Sequence, residues 1–162
     1  MMRAELLIDA VHIGVVVVDA ELKVSTWNRW MGIHTNIPQN KAFGQSLTEL
    51  FHLDEERIKT LSRRIKTTLK LGSPTFSIAS AEGFLLPIPL PLSSRVNFDF
   101  MQQDITIAPY DATRVMLLIY DQTPLIESKR REAGKSKELS IMVENATKTI
   151  NKLKAAEALL VK

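Results

Sequence analysis

The 162-residue sequence contains no cysteine. That excludes a disulfide framework, a thiolate zinc site, a cysteine nucleophile and any cofactor joined through a thiol. Histidine is scarce: His12, His34 and His52 lie far apart, without the i, i+4 spacing of a helical metal site. The six glycines form neither a phosphate-cradling loop nor a dinucleotide-binding run. There is no long apolar stretch. The run Ile13 to Val18 is far short of the roughly 20 residues that span a bilayer. Glu5 and Asp9 precede it, where a signal peptide would carry cations. A cytoplasmic protein without a membrane segment is expected.

What is present suffices for a core. Hydrophobic residues make up 45% of the chain, which excludes wholesale disorder. The length suits one compact domain with an appendage. The formal charge of +3 is unevenly placed. Residues 1–126 carry 12 basic and 13 acidic groups, a net of −1, and residues 127–162 carry 9 and 5, a net of +4. The first part is neutral and only the tail is basic.

Arg3 to Val11 has Leu6, Leu7, Ala10 and Val11 at helical spacing. Ile13 to Val18 is β-branched and predicts a strand; Asp19 to Glu21 turns the chain into a second strand, Leu22 to Trp27. Asn28 stands as an N-cap before Arg29-Trp30-Met31, and Ser46 as another before Leu50 and Phe51. Asp54 caps a longer helix through Ile58, Leu61, Ile65 and Leu69, with a Lys/Arg-rich opposite face and a stop at Gly72 and Pro74. Thr75 to Ser80, Phe100 to Ala108 and Arg114 to Tyr120 read as three further strands. Between the third and fourth, Pro87, Pro89 and Pro91 alternate, which forbids a central strand or a helix. An extended surface connection in polyproline II geometry is expected; a docking peptide for a proline-reading domain is the alternative. Both alternating rows of the first and fifth strands are apolar, so cover on both faces is expected, from helices on one and from the N-terminal helix, the tail or a second copy on the other. From Pro124 the chain reads as helix. Leu139, Ala146, Leu153 and Leu160 recur every seven residues, with Val143 and Ile150 four after the first two. This seam joins two copies or folds back onto its own domain.

The residues Ile8–Phe51 include IDAVHIGVVVVDAELKVSTWN, then RWM and FGQSLTELF; Met101–Pro109 reads MQQDITIAP, and Asp121-Gln122-Thr123 supplies a D-x-T at the end of the last strand. Together these resemble a PAS domain, as found in sensory proteins of bacteria ahead of diguanylate cyclase or histidine kinase modules. The resemblance covers about residues 4 to 124 and implies an α+β fold with a five-stranded antiparallel sheet and helices on one face. With it go an N-terminal flanking helix over 1–11, a sensory domain over 12–123 and a C-terminal signalling helix, coiled-coil-like, over 124–162. In that family the D-x-T couples the core to the outgoing helix, which places Asp121 and Thr123 as relay residues. A turn and cap before Pro124 is compatible with that role.

No catalytic residue is predicted. The cyclase signature and a phosphoacceptor histidine in the exit helix are both absent, so the chain reads as an input module whose output domain lies outside it. The family's haem ligand lies in the long helix, and Asp54–Leu71 contains no histidine, so haem is disfavoured; a flavin–thiol adduct needs the missing cysteine. No cofactor and no metal site is expected, although an unknown small ligand remains open. On the fourth strand Met101, Gln103, Ile105 and Ile107 share a face, with Gln103 its one polar member. Met101, Gln103 and Ile105, together with Trp27, are the candidate ligand-binding residues. The alternative is a core-edge glutamine satisfied by backbone or water. Leu6, Leu7, Leu139, Val143, Ala146, Ile150, Leu153 and Leu160 are the candidate homodimer interface. The cluster Lys129-Arg130-Arg131 is diluted by Glu127 and Glu132 and lacks aromatic neighbours, so it reads as a solvated face rather than a nucleic-acid site.

Overall fold

The computed structural model describes residues 7–160, with side chains described as far as Ala158. Of the expected N-terminal helix, residues 7–10 are helical (α1); the rest of its start, Leu6 included, lies outside the described residues. The chain divides after Pro124 into two units.

The first unit is built on one antiparallel sheet of order β2-β1-β5-β4-β3, formed by β1 (Gly14–Asp19), β2 (Val24–Trp27), β3 (Thr75–Ser77), β4 (Gln103–Pro109) and β5 (Arg114–Asp121). Val16 lies opposite Trp27 on one side and Leu117 on the other, and Leu117 faces Ile107 in turn. This register puts Val16, Leu117 and Ile107 in one continuous buried row. Helices α2 (Arg29–Thr35), α3 (Gln39–Ala42), α4 (Leu47–Phe51) and α5 (Glu55–Leu71), with the short turn α6 (Ala79–Glu82), occur between β2 and β4. Met31, Leu47, Leu61 and Ile65 from these helices complete the core.

Local chemistry sets the helix ends. Asn28, Ser46 and Asp54 accept the backbone N–H of Met31, Thr48 and Arg57 as N-caps of α2, α4 and α5. Gly72 ends α5 with φ +64°, a left-handed conformation that favours glycine. Gly14 has a different role. A Cβ there would come within 2.6 Å of the Met31 sulfur, so glycine is what allows α2 to lie close against β1.

Several boundaries differ from the sequence expectation. The second strand begins at Val24 rather than Leu22, because Leu22 adopts φ +68° and Asp19 accepts the N–H groups of Glu21 and Lys23 in a tight turn. The third ends at Ser77, where Asp104 Oδ1 takes the N–H of Ala79 and the chain enters α6. The fourth starts at Gln103 rather than Phe100. Cover on both faces holds along β1, whose Val15 to Val18 are all buried. On β5 only Val115, Leu117 and Ile119 are buried, and Met116, Leu118 and Tyr120 stay partly exposed.

The proline-rich segment departs furthest. Pro89 bridges Phe100, and Leu85, Leu86, Ile88 and Leu90 are buried in the core. Burial of an aliphatic side chain contributes about 1.5–3 kcal/mol, so these four side chains hold the segment inward. The surface connection expected from proline alone is therefore incorrect. Beyond it, Leu92–Ser94 forms a single 3-10 turn at an exposed tip.

The second unit is the body of α7 (Thr123–Leu160), 38 residues and about 57 Å long at 1.5 Å per residue. Every side chain from Lys129 to Ala158 is exposed.

Candidate functional site

The end of β5 delivers the D-x-T sequence into a hydrogen-bonded junction. Asp121 Oδ1 accepts the backbone N–H of Thr123 at 3.0 Å. Thr123 Oγ1 accepts the backbone N–H of Gln102 at 2.8 Å, and Thr123 is buried. The Gln102 carbonyl in turn accepts the N–H of Gln122 at 2.8 Å. Both backbone groups of Gln102 are thus held by the first residues of the exit. Gln122 Nε2 donates to Asp104 Oδ2 at 2.9 Å, while Asp104 Oδ1 caps the N–H of Ala79. One polar cluster ties α6, the start of β4 and the start of α7. Among the described residues, no buried side-chain nitrogen or oxygen lacks a partner.

Gln103 extends this cluster inward. Its Nε2 donates to the Leu86 carbonyl at 2.8 Å, and its Oε1 accepts the Leu86 N–H at 3.3 Å. The side-chain amide therefore pairs with the proline-rich segment as a neighbouring strand would. Arg57 holds the same segment one step earlier. Its Nη1 donates to the carbonyls of Phe84 and Leu85, at 3.1 and 3.4 Å, and its guanidinium carbon stands 4.4 Å from the Phe84 ring centre. The Phe84 ring packs against Phe100 at 5.2 Å between centres. Gln102 Nε2 donates to the Phe100 carbonyl at 3.0 Å, which connects this aromatic pair to the exit junction.

Around Arg57, Phe84 and Phe100 opens a cleft of about 460 Å³, also lined by Ile37, Leu50, His52, Asp54, Pro87 and Pro89. Asp54 accepts the backbone N–H of Arg57, and no ion pair joins it to the Arg57 guanidinium.

Of the candidate ligand residues, Trp27, Met101, Gln103 and Ile105 are all buried. Trp27 Nε1 donates to the Ile37 carbonyl at 2.9 Å, and Gln103 is engaged by Leu86. Asp121 and Thr123 lie together at the junction. Leu7, Leu139, Val143, Ala146, Ile150 and Leu153 are exposed, and the Leu160 side chain lies outside the described residues. Sequence reasoning passed over Gln102, Asp104, Gln122, Arg57, Phe84 and Phe100. The polar run Gln102-Gln103-Asp104 opening an apolar strand was the one visible signal. Among the described residues no group of three or more histidines and carboxylates gathers into a metal-binding cluster, and no helix is long and apolar enough to cross a membrane.

The clearest electrostatic perturbation lies in the β4–β5 turn. Hydrogen bonds from the Arg114 side chain, at 2.8 and 2.6 Å, and then from the Thr113 amide hold the Asp111 carboxyl down to about 2. The same pairing raises Arg114.

Residues 3–78 match the family model described as the PAS fold. No curated protein matches the chain in sequence. Among solved structures, a sensory box sensor histidine kinase from Vibrio cholerae is 22% identical, with a TM-score of 0.51 over 74% of this chain and 89% of that one. The PAS domain of nitrogen regulation protein NR(II) from Vibrio parahaemolyticus is 10% identical, with a TM-score of 0.51 over 73% and 96%. The PAS domain of the RpfR quorum-sensing receptor from Cronobacter turicensis, in complex with BDSF, is 13% identical, with a TM-score of 0.53 over 70% and 96%. At such identities the likeness is one of fold, and it defines the class: an α+β domain with one antiparallel sheet and helices packed against it. Residues 3–78 thus resemble the PAS fold, and the architecture around them is similar to that of the PAS domains in these solved structures.

Proposed function

We propose that this chain is a sensory input module, itself without catalysis, that relays a conformational change through α7 to an output domain of diguanylate cyclase or histidine kinase type. The observation that carries the reading is the bond from Gln102 N–H to Thr123 Oγ1. It ties the first residue of the exit helix to the strand that follows the proline-rich segment, so displacement of that segment pulls on the helix start. Asp121 fixes Thr123 in place for this bond. A ligand that competes for Gln103 would free Leu86 and loosen the segment; such a ligand must bind one state better than the other to shift anything. Two copies would pair through the seam of Leu139, Val143, Ala146, Ile150 and Leu153, in the cytoplasm, and convert the shift into altered helix pairing.

Replacing Asp121 by Ala in the intact signalling protein tests the relay. The expected outcome is a folded domain with output that no longer follows input; normal signalling in this variant would reduce the motif to a turn.

A ligand-free dimerisation module is the second reading, favoured by one observation: the amide of Gln103 already has both its partners in Leu86. Mass spectrometry of the purified chain separates the two, since a co-purified small molecule speaks for sensing and its persistent absence for dimerisation alone.

A further inference from the structure

Resting on the sensory reading above, we propose that the cleft between the α4–α5 corner and the proline-rich segment binds a small aromatic carboxylate. Arg57 would hold the carboxylate and the Phe84–Phe100 pair the ring. The cleft is distinct from the interior row of Met101, Gln103 and Ile105, whose side chains are buried in the core. Its volume of about 460 Å³ lies in the range of small-molecule sites, roughly 300–1,000 Å³.

The lining selects the ligand. Phe84 and Phe100, 5.2 Å apart, present ring surface next to Leu50 and two prolines, which suits a flat apolar body. Arg57 supplies the charge. Its Nη1 is committed to the Phe84 and Leu85 carbonyls, while among the described residues neither Nε nor Nη2 has an acceptor. Those two donors form the fork that pairs with a planar carboxylate in bidentate fashion. Asp54, the acidic side chain on the lining, is turned to the Arg57 backbone N–H. His52 ends α4 in a left-handed conformation and lines the same cleft.

The position gives such a ligand a lever. Phe84 belongs to the segment that Gln103 clamps at Leu86, and the carbonyl of Phe100 is held by Gln102, whose backbone N–H bonds Thr123. A ring seated on the Phe84–Phe100 pair therefore touches both strands of chain that lead to the exit junction.

Titration calorimetry of the 162-residue chain with benzoate, benzamide and acetate tests the site, together with amide shift mapping by NMR. Benzoate is expected to bind saturably. Benzamide, the same ring without the charge, is expected to bind roughly ten-fold more weakly, and acetate without detectable heat. Arg57→Gln is expected to erase the benzoate preference, and the largest shifts are expected at His52, Arg57, Phe84 and Phe100. No saturable benzoate binding, equal affinity for benzamide, or largest shifts at Met101 to Ile105 would each overturn the proposal. So would a benzoate preference that survives in Arg57→Gln. If that variant does not fold, the probe comparison and shift map on the unaltered chain decide. Failure here would leave the relay standing, because Asp121→Ala in the intact protein reads output and not binding at the cleft.

Discussion

The two units of the chain solve the problem of apolar surface in opposite ways. In the first, strands and helices of modest length bury Val16, Leu61, Ile65, Ile107 and Leu117 almost completely against one another. In the second, the long helix α7 leaves Leu139 at 62% and Leu153 at 66% of their free exposure. Helices in water gain most of their stability from packing an apolar face. The first unit holds the contacts for its own fold, whereas the second leaves apolar side chains exposed along its helix.

The contrast breaks most sharply at a core position. Ile65→Ala is expected to cost the first unit about 2–5 kcal/mol, seen as a lower midpoint in urea unfolding. A change below 1 kcal/mol would mean the core is looser than its burial implies. Leu153→Asp addresses the other unit. It is expected to abolish self-association in sedimentation velocity while leaving that midpoint unaltered, and an intact dimer would remove the seam from the second unit.

Thr123 is the next-to-last residue of the first unit. Thr123→Val removes the acceptor for the buried N–H of Gln102, with an expected loss of about 1–3 kcal/mol, and Thr123→Ser is expected to restore most of it. Equal stability in the valine variant would show that the junction is held by Gln122 alone.

The smallest effect belongs to Asp111. Its folded-state pKa is depressed from 3.8 to about 2, so its ion pair with Arg114 stabilises fully above the ordinary carboxylate range. That contribution fades as pH falls toward 2. Asp111→Asn is therefore expected to be slightly less stable than the parent at pH 6, with the difference closing in acid. A gap that widens in acid would contradict the pairing.

Much of the fold was legible because its signals are local. β-branched runs, the caps Asn28, Ser46 and Asp54, and the stop at Gly72 act within a few residues of themselves. What escaped is long-range. Leu86 is 17 residues from Gln103, and nothing near either residue announces their pairing. Arg57 read as one cation of a basic helix face, yet its partners lie 27 and 28 residues on. The proline-rich stretch carried two messages. Proline at every second position announced missing donors, while Leu86, Ile88 and Leu90, alternating with the prolines, announced burial. Asp121 and Thr123 were legible as a pair, but Gln102 needed the fold to bring it beneath them.

That alternation also bears on solubility. Leu90 donates its N–H to Asp99, and the Ile88 carbonyl accepts from Met101, so the segment uses one of its edges for pairing. Successive N–H groups of an extended chain point to opposite sides, and on the far side the donors would belong to residues 87, 89 and 91. All three are proline. A strand from another molecule approaching that side would find no N–H donors to align on, which disfavours further pairing there. The prolines thus leave the outer side of a buried segment without the donors that a further strand would need.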